Sequence, residues 1–171
     1  MLPAANIEAG RFGAGGSMDG RCAIYHGDAH IVAHLELPRD GWLRDFGYGF
    51  YGTESLRQAK RWALTRRQVS GVTCYVYTES SGLDVLSFPE MSEEWLDFIV
   101  SCRRGSEHDH DIVEGPMADD QIWNYVEDFV AGEITREAFW GLVKFRHPTH
   151  QIAFCTEDAL ETLRFEGADE L

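Results

Sequence analysis

The chain has 171 residues and a formal net charge of −14 at pH 7, which indicates one domain with a strongly acidic surface. Hydrophobic residues make up 44% and aromatic residues 12% of it, enough for a folded core, so a disordered chain is excluded. The acidity disfavours nucleic acids and anionic membrane surfaces as partners. No apolar run in the sequence approaches the length of a membrane span.

The two ends and the cysteines predict the domain bounds and the compartment. Residues 1–20 are rich in glycine and lack hydrophobic periodicity, so they predict a flexible tail, with Met18 as an alternative start. One domain is then expected over 21–165, followed by a short C-terminal tail over 166–171. Four widely separated cysteines without a CxxC pair, and no signal peptide, favour reduced, mostly buried thiols in a cytoplasmic protein.

The first elements in chain order are a strand and a glycine–aromatic stretch. Residues 22–27 form an apolar strand that ends in His26 and Gly27. In the stretch 45–54, the two glycines at 47 and 49 favour a turn or the close approach of a ligand to the backbone. A short strand at 50–51 follows, and then a helix start for which Thr53 is the predicted N-cap.

A planar ligand would fit the elements on either side of this helix start. The helix over 55–64 places Ala59 and Trp62 on one face at helical spacing. If the helix packs back on its strand, the rings of Tyr51 and Trp62 lie across a cleft. Ring stacking of a bound ligand then contributes ~0.5–1.5 kcal/mol beyond burial.

The remaining elements alternate in type and carry clear boundary signals. Strands are predicted at 71–78 and 83–88, and Ser92 is the expected N-cap of a helix over 93–100, with Arg103 and Arg104 at its negative end. A short strand at 112–113 precedes two helices that begin after Asp119 and Thr135 and form an αα-hairpin. A strand over 152–155 and a helix over 157–165 complete the chain.

Two histidine patterns and one kinase-like triplet are interpreted as structural. His30 and His34 have metal-ligand spacing but lack a third ligand. The segment 107–111 reads Glu-His-Asp-His-Asp, a pattern found in binuclear zinc sites, yet a solvated polar loop is favoured. The DFG triplet at 45–47 has no catalytic loop or β3 lysine beside it, so a kinase is excluded. No metal is predicted.

Three motifs, in the required order, carry a family resemblance. They are Tyr25-His26-Gly27 at the end of a strand, the element Gly49-Phe50-Tyr51 before a helix, and the strand that begins after Gln151. This arrangement resembles the His-Tyr-[Glu/Gln] ADP-ribosyltransferases of the diphtheria-toxin and poly(ADP-ribose)-polymerase type. It also looks like a bacterial domain-of-unknown-function family of the same clan.

The resemblance implies an α+β fold, in which an ADP-ribosyltransferase-like split β-sandwich of two small antiparallel sheets carries flanking helices and an inserted αα-hairpin. It implies that NAD binds in the cleft, with His26 on the adenosine ribose and the Gly27 backbone on the nicotinamide amide. The nicotinamide ring would lie between Tyr51 and Trp62. The other NAD-binding positions that the resemblance implies are Gly49, Phe50 and Ala59.

Gln151 matches the third catalytic position, where this clan usually has a glutamate. Glu114, Asp119 or a site without that residue are the alternatives. A glutamine can hydrogen-bond the ribose 2′-OH but adds no charge to stabilise an oxocarbenium-like transition state. On this reading, Gln151→Glu is expected to raise the rate of NAD cleavage.

The function implied is that of an NAD-dependent mono-ADP-ribosyltransferase, expected to be the toxin of a bacterial toxin–antitoxin or phage-defence system. Its acceptor would be a macromolecule, protein in preference to nucleic acid, and an antitoxin protein would be a further partner. The alternatives are a non-catalytic module that binds NAD or ADP-ribose and an NAD glycohydrolase. Polymer synthesis is disfavoured because chain elongation needs the glutamate.

Overall fold

The fold is seen in a computed structural model, which describes residues 21–38, 44–65 and 71–171. The predicted tail over 1–20 lies outside these residues. The helices and strands, in chain order, are β1 (Arg21–Asp28), β2 (Phe50–Gly52), α1 (Leu56–Leu64), β3 (Gly71–Thr78), β4 (Val85–Ser87), α2 (Glu93–Arg103), β5 (Ile112–Pro116), α3 (Asp120–Ala131), α4 (Arg136–Val143), β6 (His150–Phe154), α5 (Glu157–Leu160) and β7 (Leu163–Glu170).

The described chain is an α+β protein with two mostly antiparallel sheets. One sheet has three strands in the order β1-β3-β7, and the other has four in the order β2-β6-β5-β4. The prediction of wholly antiparallel sheets is wrong at one position, because β4 and β5 pair in parallel. Parallel neighbours need a crossover connection, and α2 supplies it between these two strands.

The C-terminal segment is a strand, not a tail. The helix predicted over 157–165 ends at Leu160, and β7 then pairs antiparallel with β3. Residues 166–170, expected in a tail, are therefore part of the three-stranded sheet. The reason lies in tertiary packing: Leu163 is buried and the ring of Phe165 meets Tyr75 edge-on at 6.4 Å. Packing of this kind overrides a helical pattern that local sequence alone suggests.

A backbone bridge joins the two sheets beside β2. Tyr25 donates its N–H to the Thr53 carbonyl at 2.8 Å, and Thr53 donates its own to Tyr25 at 3.0 Å. The prediction of Thr53 as N-cap is thus wrong. Ser55 caps α1, and its hydroxyl accepts from the N–H of Gln58. The bridge fixes the end of β1, which carries His26, beside β2, which carries Tyr51.

Helix α1 packs closely on β1 at Gly27. A Cβ atom at this position would overlap the carbonyl oxygen of Ala59, so only glycine permits the contact. The close approach brings the C-terminal turn of α1, with Trp62, toward the end of β1.

Helices α2, α3 and α4 cover the four-stranded sheet. Its main core cluster joins Phe46, Trp95, Val113, Ile122 and Phe139, all fully buried. The αα-hairpin of α3 and α4 was predicted, and Gly132 ends α3 with a positive φ of 76°. Ser92 is confirmed as the N-cap of α2, and Asp119, Thr135 and Thr156 cap α3, α4 and α5.

The cysteines whose side chains are described, Cys74, Cys102 and Cys155, are free thiols. Burial raises the pKa of Cys74 and of Cys102 to about 11, which keeps both in the thiol form at neutral pH. Among the described helices, none combines the length and apolar character needed to cross a membrane.

Asp119→Ala should lower the free energy of unfolding by about 1 kcal/mol. The carboxylate of Asp119 accepts from the N–H groups of Gln121 and Ile122 at 3.2 and 3.1 Å, and alanine leaves both donors without that acceptor. Urea unfolding followed by circular dichroism measures the loss. Asp119→Asn is the matched control, since asparagine caps helices equally well; equal stability of the two variants would contradict the capping role.

Candidate functional site

A cavity of about 440 Å³ opens between the two sheets and the ends of α1 and α3. This volume lies in the range of small-molecule sites. Five of the predicted site residues lie in its wall, and they come from β1, β2, α1 and β6. Of the residues that the structure describes, those lining the cavity are His26, Gly27, Arg44, Asp45, Tyr51, Trp62, Thr65, Met117, Ala118, Trp123 and Gln151.

Strand pairing explains why Tyr51 and Gln151 meet there. Tyr51 of β2 pairs with Ala153 of β6. Side chains two residues apart on a strand point to the same face, so Gln151 and Ala153 share a face, and Tyr51 is the diagonal neighbour of Gln151. The carbonyl of His150 accepts from the side chains of Thr53 and Gln58, which fixes the start of β6 against α1.

His26 presents one ring nitrogen for a ligand. Its Nδ1 lies 2.7 Å from the carbonyl oxygen of Tyr51. A carbonyl oxygen only accepts, so Nδ1 carries the proton, and Nε2 is the acceptor of the neutral ring. The carboxylate of Asp28 lies 3.6 Å from Nε2. The ring also packs against Phe50, with ring centroids 4.6 Å apart.

Tyr51 offers the cavity a ring and not a reactive hydroxyl. The side-chain oxygen accepts from the N–H of Phe46 at 3.0 Å and donates to the carbonyl of Gly47 at 2.9 Å. Burial, followed by the negative charge of Asp45, raises the pKa of Tyr51 far above its usual range. The phenol therefore stays protonated at physiological pH and takes no part in proton transfer.

A cation covers one face of the Tyr51 ring. The guanidinium carbon of Arg44 lies 4.9 Å from the ring centroid, a cation–π distance, and Arg44 itself is exposed. The ring of Phe46 stacks on Tyr51 at 6.5 Å. A ligand that stacks on Tyr51 from the cavity would therefore displace Arg44. The second aromatic residue predicted to stack on the ligand, Trp62, is half-buried in the same wall.

The polar centre of the cavity is a buried pair, Asp45 and Gln151, each 5% exposed. Oδ2 of Asp45 accepts from Nε2 of Gln151 at 2.8 Å and from the N–H of Ala118 at 2.8 Å. Oδ1 accepts from the guanidinium of Arg103. The carboxylate is thus fixed from three directions.

Arg103 is an internal residue. The sequence placed Arg103 at the negative end of α2; its side chain is 7% exposed, and its guanidinium lies over the ring of Trp123. Burial lowers the pKa of Arg103, and the charge of Asp45 opposes that change. Leaving either partner alone in the interior would be strongly unfavourable, so the two charges depend on each other.

Three predicted NAD-binding residues lie behind the cavity wall and not in it. The space a side chain would need at Gly49 is taken by β6, since a Cβ would meet the carbonyl oxygen of Phe154 at 3.0 Å. Phe50 packs edge-on against Tyr75 at 5.5 Å in the core. Ala59 is fully buried, where its carbonyl approaches Gly27. They support the site instead of lining it.

The alternatives to Gln151 lie outside the wall. Glu114 is in β5, where it pairs with Ile152, and its carbonyl accepts from Phe88. Asp119 is occupied as the N-cap of α3. Gln151 is thus the candidate that the structure brings beside His26 and Tyr51.

The histidine-rich segment makes structural contacts. Nε2 of His108 bonds the carbonyl of Phe46 at 2.9 Å, and Nδ1 of His110 bonds Asp84 at 2.8 Å. The carboxylate of Asp111 accepts from Thr156 and from the N–H of Asp84. Within the described ranges, no group of three or more His, Cys, Asp or Glu residues could hold a metal ion.

Sequence reasoning missed several residues of the wall, above all Asp45, Arg44 and Trp123. Asp45 stands in the glycine–aromatic stretch, but its resemblance to a kinase triplet concealed its role. Trp123 falls on the apolar stripe of α3, where core packing was the natural interpretation, although it is only half-buried. An acidic residue directly before a Phe-Gly turn, on the same stretch as Tyr51, was the available signal.

The fold and cavity define an α+β domain with one polar, aromatic-walled candidate site. A comparison with protein families matches residues 22–165 to the family described as "Protein of unknown function (DUF3990)". The chain belongs to this family. A search of curated proteins finds no match to the chain.

Proposed function

We propose that this protein is an NAD-dependent mono-ADP-ribosyltransferase. One observation carries the proposal: His26, Gly27, Tyr51, Trp62 and Gln151, which come from four separate elements, line one cavity. These are the positions at which the resemblance to diphtheria-type transferases places the His, Gly, aromatic and third catalytic residues. The two sheets and the bridge beside β2 are compatible with the split sandwich of that fold.

The wall offers the groups that NAD needs. Two aromatic rings, of Tyr51 and Trp62, would hold the planar nicotinamide by stacking. Nε2 of His26 would accept from a ribose hydroxyl, and the backbone of Gly27, which lies in the same wall, would bond the nicotinamide amide. Arg44, exposed at this wall, would pair with the phosphates once it leaves the face of Tyr51.

The reaction replaces one bond to the ribose by another. The bond between C1′ of the ribose and the nicotinamide nitrogen breaks, and its electron pair neutralises the pyridinium. C1′ then bonds a nucleophilic oxygen or nitrogen of the acceptor, which gives up its proton to solvent or to a base. Positive charge develops on the ribose in between, so acceptors of hydrogen bonds in the wall stabilise that state.

The acceptor is proposed to be a macromolecule, and a protein in preference to nucleic acid, because a chain with net charge −14 repels phosphate backbones. Such a protein acceptor is compatible with a role as the toxin of a toxin–antitoxin or phage-defence pair. The target would then be cytoplasmic, and an antitoxin protein would be a partner.

A second candidate function is a module that binds NAD or ADP-ribose without cleaving it. The amide at Gln151 favours it, because glutamine lacks the charge of the usual glutamate. Hydrolysis of NAD, with water as the acceptor, is a third outcome of the same site.

Incubation of the protein with NAD labelled in its adenylate half, alone and with a cell lysate, separates these functions. A transferase leaves label on a macromolecule and releases nicotinamide. A glycohydrolase releases nicotinamide and free labelled ADP-ribose only. A binding module retains intact NAD in equilibrium dialysis, and a protein that neither binds nor cleaves NAD contradicts the proposal.

Trp62→Ala should weaken NAD binding about tenfold, which is ~1.4 kcal/mol, because one stacking surface is lost. Trp62 is half-buried at the cavity, so its removal leaves the core intact. Calorimetric titration measures the affinity. Tyr48→Ala is the matched control, since Tyr48 is 43% exposed, lies in the same region and is not part of the wall. Equal affinities of the two variants would remove Trp62 from the site.

A further inference from the structure

We propose that Asp45 is the positioning residue of the site: it holds the amide of Gln151 so that the amide oxygen faces the cavity. This inference deepens the proposed function and rests on it for the identity of the ligand. It assigns a role to a carboxylate that the diphtheria-type motif does not contain.

The orientation follows from hydrogen-bond chemistry. A carboxylate only accepts, so the group of Gln151 that lies 2.8 Å from Oδ2 of Asp45 must be the NH₂ and not the oxygen. A flipped amide would place two acceptors in contact. Among the described residues, no donor contacts Oε1 of Gln151, and Gln151 lines the cavity. Its oxygen is therefore available to accept from a hydroxyl of a ligand.

The carboxylate is itself prevented from turning. Oδ2 of Asp45 also accepts from the N–H of Ala118, and Oδ1 pairs with Arg103, whose guanidinium is held over Trp123. The three side chains form a chain of fixed order, from Arg103 through Asp45 to Gln151, which we call the 103–45–151 relay. All three are more than nine-tenths buried, so water competes little for these bonds.

The relay defines what position 151 recognises. An amide free to flip could accept from a hydroxyl of the ligand or donate to a carbonyl of the ligand, whereas an amide oxygen fixed toward the cavity selects a donor. A ribose hydroxyl is such a donor. Asp45 also lines the cavity, and its negative charge favours positive charge that develops on the bound ribose.

The first arm of the test reads the amide directly. The chain has four glutamines, at 58, 68, 121 and 151, so selective ¹⁵N labelling of glutamine gives few NH₂ signals. The signal that disappears in Gln151→Met belongs to Gln151. Asp45→Asn should shift this signal, while the signal of Gln58, whose NH₂ donates to the His150 carbonyl, stays in place. An unmoved Gln151 signal in folded Asp45→Asn protein would overturn the inference.

The second arm measures NAD affinity and the rate of nicotinamide release at saturating NAD. Asp45→Asn should lower the rate at least tenfold and the affinity less, because the fixed acceptor matters most when charge develops. Asp119→Asn, which keeps its cap, is the matched control and should match the native protein. If the Gln151 signal shifts but rate and affinity do not change, the positioning role is overturned.

Failure of the proposed function gives a different result. A native protein that neither binds nor cleaves NAD would refute the transferase, while the shifted Gln151 signal would still support the orientation set by Asp45. Collapse of all the glutamine signals to random-coil positions would mean that Asp45→Asn does not fold. Asp45→Glu then replaces it, since it keeps the charge and moves the acceptor, and the same shift of the Gln151 signal is required.

Discussion

Tyr51→Ala should lower the free energy of unfolding by about 3–5 kcal/mol, the cost of emptying the volume of a large buried aromatic ring. The ring is 3% exposed and stacks on Phe46 in the main core cluster. The hydroxyl also holds the turn before β2, since it accepts from the N–H of Phe46 and donates to the carbonyl of Gly47. Loss of both bonds leaves a buried backbone N–H without a partner.

Urea unfolding of the native protein, Tyr51→Ala and Tyr51→Phe separates the ring from the hydroxyl. Tyr51→Phe keeps the ring and should cost only about 1–3 kcal/mol, through the N–H of Phe46. NAD affinity is then measured on Tyr51→Phe, which should bind nearly as the native protein does if the ring alone stacks on the ligand. A Tyr51→Ala protein as stable as the native one would contradict the structural role.

The burial of Tyr51 changes how ligand stacking by Tyr51 and Trp62 is tested. Stacking suggested that Tyr51→Ala would weaken binding in a folded protein, but Tyr51 is a core residue as much as a wall residue. Trp62, on the surface of α1, separates binding from folding more cleanly. The sequence predicted two rings that line the same cavity, because strand–turn–helix spacing is local. The burial of Tyr51 depends on contacts from α2 and β5, which this spacing does not encode.

The strands and helices that carry the site were predictable for the same local reason. An apolar run marked β1, and β-branched and aromatic residues marked β3. Ser92, Asp119, Thr135 and Thr156 marked four helix starts. The segment that forms β7 was misassigned because its strand exists through pairing with β3, some ninety residues earlier on the chain. A pattern within the segment itself cannot show such a partner.

The buried pair of Asp45 and Gln151 could not be predicted from the sequence, because a local pattern does not show a distant partner. Asp45 and Gln151 are 106 residues apart, and Arg103 joins them from α2. Each residue had an adequate local explanation. Asp45 was an acid in a turn, Gln151 was the start of a strand, and Arg103 was a cation at the end of a helix. Only the packing of β6 against the 45–47 turn, with α2 behind it, shows that the three form one network.

That network reverses the expectation for Gln151→Glu. The resemblance to transferases suggested a faster enzyme, but the side chain lies 2.8 Å from the carboxylate of Asp45. A second carboxylate there removes the donor and places two like charges in contact in a buried site. We expect a loss of about 3 kcal/mol in the free energy of unfolding at neutral pH, and no gain in the rate of nicotinamide release.

The pH dependence of this loss has a definite sign. The charge of Asp45 and burial both raise the pKa of the introduced carboxyl above its value in the unfolded chain, about 4. A raised pKa in the folded state means that the folded protein binds the extra proton more tightly. The penalty is therefore full above the raised pKa and falls away as the pH drops toward 4. When protonated, the introduced group donates to Asp45 as the amide of Gln151 does. Urea midpoints of Gln151→Glu and the native protein should converge in acid.

The double variant that exchanges the pair, Asp45→Asn with Gln151→Glu, tests whether contact between residues 45 and 151 causes the loss of stability in Gln151→Glu. It restores one amide and one carboxylate, now with the charge at the position where the resemblance places a glutamate. If the two groups touch, the double variant should be more stable than the sum of the single losses by about 1–2 kcal/mol. Gln151→Met, which removes the bond without adding charge, is the control for packing.

Strict additivity of the two single losses, or a penalty in Gln151→Glu that does not change with pH, would show that Asp45 and Gln151 are not in contact. If instead the double variant shows the expected extra stability, the exchanged pair is the variant in which to look for faster release of nicotinamide, because its charge lies at the cavity without a like charge opposing it.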